Sequence, residues 1–379
     1  MKTLTLYYAT NRKHEGKNRW RPDGYGSKFS DDGSENLRLG KLNLQADEKK
    51  IARFLSAPAG KGVGKGDELG DYLASLAANA KIQAYQEKIL PEYSEAGQPD
   101  ARLGSAALFS DLNETMHKQT DVLVYVHGFN VSWASAVGSA LALQEMLNHS
   151  PSRNTKQNVV VVLFTWPSDG MALPFVSYKS DRTDARASGY AVGRGFLKLR
   201  DYLARLRDRS KGGEKLCDQD LHLLCHSMGN YVLQNALERM NDFTPGTALP
   251  RIFEHIFLCA PDVDDNVLES GEPMGSLHEL TRSVSTYFNR GDAALSVSDY
   301  TKGNPDRLGT AGASRPALLH NKVHQIDCSP IVQGLVEHGY YLVGAVNADI
   351  RQSIDGLAPD DAQRKRKRSS TSERVWLMT

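Results

Sequence analysis

Residues 221–240 (LHLLCHSMGNYVLQNALERM) place a serine between a strand-like and a helix-like stretch. An apolar run ends at Cys225, a turn follows from His226 to Asn230, and apolar residues then recur at helical spacing. This pattern predicts a nucleophile elbow, in which the Ser227 hydroxyl stands clear of the backbone and the next amide lies at a helix N-terminus. Such an amide can donate to an oxyanion. The alternative is an ordinary turn in which Ser227 only caps the helix.

The turn departs from the usual Gly-x-Ser-x-Gly pattern at one position. Cys225 occupies the first glycine position, whereas Gly229 keeps the second. Both positions must be small, because strand and helix converge closely there. Cysteine is small enough to be tolerated, so the departure weakens the match without removing it.

An elbow serine needs an acid that orients the base, and in this architecture the acid precedes the histidine in the chain. Asp292 lies in the turn at residues 289–292, after the apolar run at residues 284–288, and is the preferred candidate. Asp262 and Asp264, which follow an earlier apolar run, are the alternatives. Asp292 could instead serve only to cap the segment that follows it.

The base must lie in a loop after a late strand of the sheet. His338 follows residues 323–326, which are predicted to form the last strand, and it is therefore the preferred base. His320 precedes that strand and His324 lies within it. His226 is adjacent to the serine and cannot easily turn back to its hydroxyl, so it is predicted to pack or to line the substrate pocket.

The loop VHGFN, at residues 126–130, follows an apolar run and has the position of the loop that supplies the second oxyanion amide. The backbone amides of Phe129 and Met228 are the predicted donors, and one such donor stabilises a transition state by roughly 3 kcal/mol. His127 is expected to hydrogen-bond within the loop. His127 and Asn130 are also possible substrate-lining residues.

A long turn is predicted after the apolar run at residues 159–164. It contains Trp166 and Phe175, which could line or cap a pocket for an apolar acyl or alcohol group. The alternative is that these side chains only pack beneath a surface loop. No long apolar insertion resembling a large lipase lid follows, so short- to medium-chain esters are favoured.

Apolar runs that alternate with helical patterns predict a mostly parallel central sheet flanked by helices on both faces. In such a sheet the site lies at the carboxyl ends of the strands. Residues 1–357 are predicted to form a single domain, in which residues 1–118 supply N-terminal strands and a helical insertion and residues 119–357 the catalytic core. The basic tail at residues 358–379 is predicted to be disordered.

The N-terminal extension is predicted from local patterns alone. Residues 3–9 and 37–44 alternate as strands do, and residues 69–90 have helical periodicity. Residues 11–35 are polar and glycine-rich, which indicates a loop. Residues 58–66 (PAGKGVGKG) lack the Gly-Lys-Ser/Thr ending of a phosphate loop, so a flexible loop is expected there.

The composition excludes several classes of partner and cofactor. The 379 residues include 46 Lys and Arg against 45 Asp and Glu, a net charge of +1 that gives no reason to expect nucleic acid as a partner. The four cysteines lack metal-type spacing, and neither a metal nor an organic cofactor is implied. No signal peptide or apolar span is evident, so a cytoplasmic protein without integral membrane association is expected. The oligomeric state is left open.

Seven motifs distributed from residue 7 to residue 341 carry a family resemblance: YYATNRK, VYVHGFN, FTWPSDG, LLCHSMGN, CAPDVD, YFNRGDAAL and HGYY. With them the chain resembles the α/β-hydrolase superfamily, and within it a bacterial esterase/lipase-like family formerly labelled as a domain of unknown function. The resemblance implies Ser227 as nucleophile, Asp292 as acid and His338 as base. That family usually has a small residue such as alanine where this chain has Cys225.

Together these features predict a serine hydrolase that cleaves carboxylic esters of small molecules or lipids through an acyl-enzyme. Three alternatives stay open: an acyltransferase or thioesterase using the same residues, a phospholipase-type effector, and a non-catalytic binding protein with a hydrolase fold.

Overall fold

The computed structural model describes residues 1–59, 61–87, 104–118, 120–153, 157–168, 174–210, 219–246, 248–295, 306–332, 338–370 and 372–379, with the side chains of 174–177 and 209–210 left out. The strands in this part of the chain are β1 Lys2–Thr10, β2 Arg12–Glu15, β3 Gly24–Phe29, β4 Arg38–Ala46, β5 Pro58–Ala59, β6 Gly62–Val63, β7 Lys81–Ala84, β8 Thr120–Val126, β9 Asn158–Thr165, β10 Leu221–His226, β11 Phe253–Cys259, β12 Thr281–Phe288, β13 Val323–Asp327, β14 Arg366–Arg368 and β15 Val375–Met378. The helices are α1 Glu48–Ser56, α2 Gly66–Leu76, α3 Gly104–Met116, α4 Trp133–His149, α5 Pro174–Ser210, α6 Gly229–Phe243, α7 Leu308–Ala311 and α8 Gly344–Ile354.

Within the described ranges, eleven strands form one sheet in the order β14-β15-β13-β12-β11-β10-β8-β9-β1-β4-β7. The strands from β15 to β1 are parallel to their neighbours, whereas β4, β7 and β14 add antiparallel edges. The sheet is therefore mostly parallel, as the sequence predicts. Its carboxyl-end edge brings together the segments that follow β8, β10, β11, β12 and β13.

The central strand β8 shows why the sheet is covered on both faces. Leu123 and Tyr125 pack into one apolar cluster with α1, α2, α4 and α8, while Val122 and Val126 pack into another with α3, α5 and α6. These four side chains are at most 1 % exposed. Burial of one such aliphatic side chain contributes about 1.5–3 kcal/mol, which is why a continuous apolar run requires two covered faces.

In the N-terminal extension both predicted strands are present, whereas the predicted helix and the predicted loop are only partly so. Lys2 pairs with Ala46 and Thr10 with Arg38, so β1 and β4 form one antiparallel ladder. The predicted helix at 69–90 ends early, because residues 81–84 form β7 with alternating exposed and buried side chains. The predicted loop at 11–35 contains the hairpin of β2 and β3.

The prediction of a disordered tail at residues 358–379 is wrong. Residues of the tail form β14 and β15, and β15 pairs in parallel with β13. The reason is a buried ion pair that the composition conceals: Arg364 and Arg366 both contact the Asp349 carboxylate of α8, at 2.8 and 3.3 Å. Trp376 of β15 is also buried against the core.

A second correction concerns the long turn after β9. Helix α5 begins at Pro174, within the residues expected to form the turn, and it packs along α6.

In the part of the chain that the structure describes, no helix is both long enough and apolar enough to span a membrane.

Candidate active site

Ser227 lies at the sharp turn between β10 and α6. Its φ of 53° is in the left-handed region, which a non-glycine residue occupies at a cost of about 1–3 kcal/mol. The turn is held in place because the Ser227 amide donates to the Cys259 carbonyl of the neighbouring strand at 2.9 Å. A strained serine between a parallel strand and a helix has the geometry of a nucleophile elbow.

Asn230, whose role the sequence did not reveal, holds the same turn from inside. Its side-chain amide donates to the carbonyls of Cys225 and Ser227 at 3.1 and 3.0 Å. Gly229 is required by space, since a Cβ there would lie 2.6 Å from the Val126 carbonyl oxygen. Cys225, by contrast, is accommodated with no exposed surface. The elbow therefore needs glycine at the second motif position and accepts a thiol at the first.

Asp292 follows β12, and its carboxylate reaches the candidate base. The Asp292 Oδ2 atom lies 2.7 Å from His338 Nδ1. The Asp292 side chain is 1 % exposed and the His338 side chain 20 %, so the carboxylate is buried while the imidazole keeps an open edge. With Nδ1–H donating to the carboxylate, Nε2 of a neutral His338 carries the lone pair that can accept a proton.

Asp292 also fulfils the capping role considered for it. Its other carboxylate oxygen, Oδ1, accepts from the backbone amide of Ala294 at 3.1 Å. The two roles are compatible because a carboxylate has two oxygens. The amide contact fixes the orientation in which Oδ2 faces His338.

The alternative acids have other partners. Asp262 accepts from the Tyr178 hydroxyl at 2.9 Å and lies 3.4 Å from Arg307 Nε. Asp264 also pairs with the Arg307 guanidinium. These two carboxylates thus face Arg307 and Tyr178, whereas the carboxylate of Asp292 contacts His338.

Neither of the other two histidines considered as the base lies at this site. His324 is within β13, as predicted, and burial lowers its pKa to about 4. His320 precedes β13 and stacks on His278, with 3.9 Å between ring centroids. Both therefore belong to the strand itself or to its amino end, away from the carboxyl-end edge where Asp292 and His338 meet.

The loop after β8 approaches the elbow from the other side. A Cβ at Gly128 would lie 2.7 Å from Ser227 Cβ and 3.2 Å from Ser227 Oγ. Among the described residues, the backbone amides of Phe129 and Met228 donate to no protein acceptor, whereas the amide of Asn130 donates to Asp181 at 3.3 Å. Free amides on either side of a serine are what an oxyanion hole requires.

His127 holds this loop. Its Nδ1 bonds the Gly128 carbonyl at 2.9 Å, and its Nε2 accepts from the Trp166 amide at 3.2 Å and lies 2.8 Å from the Thr165 hydroxyl. Burial, together with the nearby Arg12 charge, lowers the pKa of His127 to about 3. The imidazole is therefore neutral, with the proton on Nδ1.

Arg12 is a supporting residue that the sequence reasoning missed, although it lies in the YYATNRK motif. Its fully buried guanidinium donates to Thr165 Oγ1 at 3.0 Å and to the Val131 carbonyl at 2.5 Å. It thereby connects the start of β2 to the end of β9 and to the residue that follows the loop at 126–130. Nothing in its immediate sequence indicates burial, because both of these acceptors lie more than 100 residues away in the chain.

The structure bears on four of the possible substrate-lining residues. His127 and Trp166 have no exposed surface, so their assignment as lining residues is corrected: the two rings stack at 5.5 Å beneath the loop. The Phe175 side chain lies outside the described residues. Asn130 is exposed, with a φ of 54°, at the end of the loop at 126–130, as a lining residue would be.

His226 lies against the candidate base. Its Nε2 atom is 3.0 Å from the backbone carbonyl of His338, and the two ring centroids are 4.6 Å apart. This contact places the candidate base beside the residue that precedes Ser227. A neighbour the sequence did not single out, Tyr178, packs edge-on against Phe129 with 5.9 Å between ring centroids.

Comparison with known proteins gives a family and little more. No curated protein matches the chain. Among solved structures, a hyperthermophilic esterase from the archaeon Pyrobaculum calidifontis is similar, at 12 % identity over 62 % of this chain and 76 % of that one, with a TM-score of 0.29. That likeness is too low to carry an argument. The model of the family described as alpha/beta hydrolase of unknown function (DUF900) matches residues 105–350, about two-thirds of the chain. The chain therefore belongs to this family of α/β hydrolases, and the predicted fold is confirmed.

Proposed function

We propose that the protein is a serine hydrolase that cleaves carboxylic esters through an acyl-enzyme. One observation carries the proposal: the contact of 2.7 Å between Asp292 Oδ2 and His338 Nδ1, at the sheet edge where the strained Ser227 also lies. Neighbouring free amides and an α/β-hydrolase family support it further. The same three residue types, in different orders along the chain, perform acyl transfer on unrelated folds.

The first half of the reaction forms the acyl-enzyme. Ser227 Oγ attacks the ester carbonyl carbon while His338 Nε2 takes its proton, and the carbonyl oxygen becomes an oxyanion that the Phe129 and Met228 amides bind. Asp292 keeps the proton of His338 on Nδ1 and stabilises the imidazolium. The bond from carbon to the alcohol oxygen then breaks, and the alcohol leaves with the proton from His338.

The second half releases the acid. Water donates a proton to His338 Nε2 and attacks the acyl carbon, so the oxyanion forms again at the same amides. When the bond to Ser227 Oγ breaks, the serine recovers its proton from His338 and the carboxylic acid departs. Each donor that is present only for the oxyanion contributes about 3 kcal/mol to the barrier reduction.

The substrates that we propose are short- to medium-chain esters of small molecules or lipids. The support is a sequence feature, since no long apolar insertion of the kind that covers large lipase pockets is present. A panel of p-nitrophenyl esters of graded chain length tests this part separately. Maximal kcat/KM at two to eight acyl carbons is the expected result, and a maximum at the longest chains would contradict it.

Active-site labelling tests the reaction type. A fluorophosphonate probe should label Ser227 alone, as peptide mapping would show, and Ser227→Ala should lose labelling and about a millionfold in kcat. Ser75→Ala, which removes an exposed hydroxyl on α2, is the matched control and should behave as the unaltered protein. Labelling at another residue, or turnover retained by Ser227→Ala, would overturn the proposal.

A further inference from the structure

His226 has no role in the reaction described above, although it directly precedes the nucleophile. The structure assigns it one: we propose that His226 is a positioning residue that fixes the backbone of His338, and so aims the catalytic imidazole at Ser227. This inference rests on the proposed function. It concerns a bond between the elbow and a segment 112 residues later in the chain.

Two contacts join His226 to the base. Its Nε2 atom lies 3.0 Å from the carbonyl oxygen of His338. Its ring is tilted against the rings of His338 and Tyr341, with centroids 4.6 and 4.7 Å away. The imidazole of His226 therefore fills the space between the base and a tyrosine three residues further on, and it bonds the main chain of the base itself.

The protonation state of His226 makes it a constant donor. Burial and the neighbouring His338 keep its pKa well below the ordinary value, so the ring is neutral near neutral pH. A neutral imidazole has one N–H, and a carbonyl oxygen can only accept, so that proton is on Nε2. His226 consequently cannot compete for the Ser227 proton through the nitrogen that holds His338, and it adds no charge beside an imidazolium.

The remaining contacts of the segment explain why this bond matters. Tyr340 donates from its hydroxyl to the Tyr287 carbonyl at 3.0 Å, and the hydroxyls of Tyr341 and Tyr125 lie 2.5 Å apart. Those bonds fix the chain after residue 338. Asp292 fixes one ring nitrogen, about which the imidazole could still pivot. The His226 bond adds a second fixed point at the main chain of His338, and two points define the direction of Nε2.

The inference is tested with a pair of substitutions that differ in one donor. His226→Gln keeps an amide N–H at nearly the reach of Nε2, whereas His226→Met has similar length and no donor. We expect His226→Met to lower kcat by about 10- to 100-fold with KM within about twofold, because misplacement of a base by an ångström costs that much. His226→Gln should recover most of the loss. His149→Met, at an exposed histidine, should change neither constant.

The outcomes separate this inference from the proposed function. If the unaltered protein neither hydrolyses esters nor labels with fluorophosphonate, the proposed function fails first. If it does both, equal kcat for the Gln and Met variants would overturn the role of the bond. Thermal unfolding of each variant guards against misfolding, and a Met variant that is unfolded is replaced by His226→Leu, compared with the Gln variant by the rate of Ser227 labelling. A rise in KM with unchanged kcat would also contradict the positioning role.

Discussion

Gly128 and Ser227 approach each other so closely that no side chain fits between them. A methyl group at residue 128 would lie 2.7 Å from Ser227 Cβ and 3.2 Å from Ser227 Oγ, well inside van der Waals contact. The loop after β8 and the elbow after β10 therefore meet through bare backbone. This closeness is what allows the Phe129 amide and the Met228 amide to face one oxyanion in the proposed reaction.

Gly128→Ala should abolish this fit. The added methyl group must push the loop away from Ser227, so at least one oxyanion donor is lost, and removal of one donor costs about 100- to 1,000-fold in kcat. We expect a decrease of at least 100-fold, measured with p-nitrophenyl acetate. Gly195→Ala on α5 is the control, because its Cβ would meet only Leu37 Cδ1 at 3.4 Å. A Gly128→Ala enzyme with unchanged kcat would show that the loop does not bind the oxyanion.

Substitution of Asp292 should lower the rate of catalysis, whereas substitution of Asp262 should lower the stability of the fold. Asp292→Asn leaves His338 with the wrong partner for its Nδ1 proton, and such a change lowers kcat by about 10⁴-fold in related constellations. Asp262→Asn removes the charge that faces Arg307, so we expect a fall of about 3 kcal/mol in the free energy of unfolding. Steady-state kinetics and denaturant titration of both variants measure kcat and the free energy of unfolding. The reverse pattern would make Asp262 the acid.

The buried, neutral imidazole of His127 should make the folded protein less stable in acid. Its pKa is about 3 in the folded protein against an ordinary value of 6.5, so the unfolded chain binds more protons between these values. Stability contributed by the neutral ring is thus complete above pH 6.5 and falls as the pH drops towards 3. At pH 4.5 the loss is about 3 kcal/mol, since each pH unit contributes about 1.4 kcal/mol.

The contribution of His127 is measured by comparison with a variant. Urea titrations at pH 4.5 and 7.0 should show a smaller difference between the two pH values for His127→Gln than for the unaltered protein. His149→Gln should keep the full difference, because His149 is exposed. An unchanged pH dependence in His127→Gln would mean that the buried ring is not neutral in the folded state.

The basic run near the C-terminus should prove structural. Asp349 accepts from Arg364 at 2.8 Å and from the Tyr287 hydroxyl at 2.8 Å, and all three side chains are buried. Asp349→Asn leaves buried guanidinium charge without a counter-ion, which costs about 3–5 kcal/mol. The denaturant concentration at the midpoint of unfolding should fall, while the dependence of the unfolding free energy on denaturant concentration stays unchanged. Lys367→Ala, in the same run but exposed, should change stability by less than about 0.5 kcal/mol.

The sequence predicts those features that depend on residues close together in the chain. The strands of the central sheet are continuous apolar runs, and the turn at Ser227 is specified by its immediate neighbours, so both are readable locally. The order of serine, acid and histidine along the chain then limits the acid and base to a few positions. The Asp292–His338 contact remained a prediction from order until the structure placed the two side chains 2.7 Å apart.

The features that the sequence hid depend on distant partners. Residues 364–368 have the composition of a solvated tail, and only the burial of Asp349 on α8 reverses that expectation. Arg12 looks like a loop residue until Thr165 and Val131 provide acceptors for its guanidinium. In each case a guanidinium charge is buried because its counter-ion or its hydrogen-bond acceptors come from a distant part of the chain. No local sequence pattern indicates such a partner.

Cys225, the departure from the usual motif, should be dispensable for turnover. The thiol has no exposed surface, and burial raises its pKa, so iodoacetamide should leave the native enzyme active and the cysteine unmodified. Cys225→Ala should keep kcat within about threefold, because only the backbone carbonyl of residue 225 bonds Asn230. Cys225→Val adds a branched side chain where strand and helix converge, at a cost of about 1–3 kcal/mol. Kinetics and thermal unfolding of both variants decide the matter: loss of activity in the alanine variant alone would give the thiol a role that its burial does not suggest.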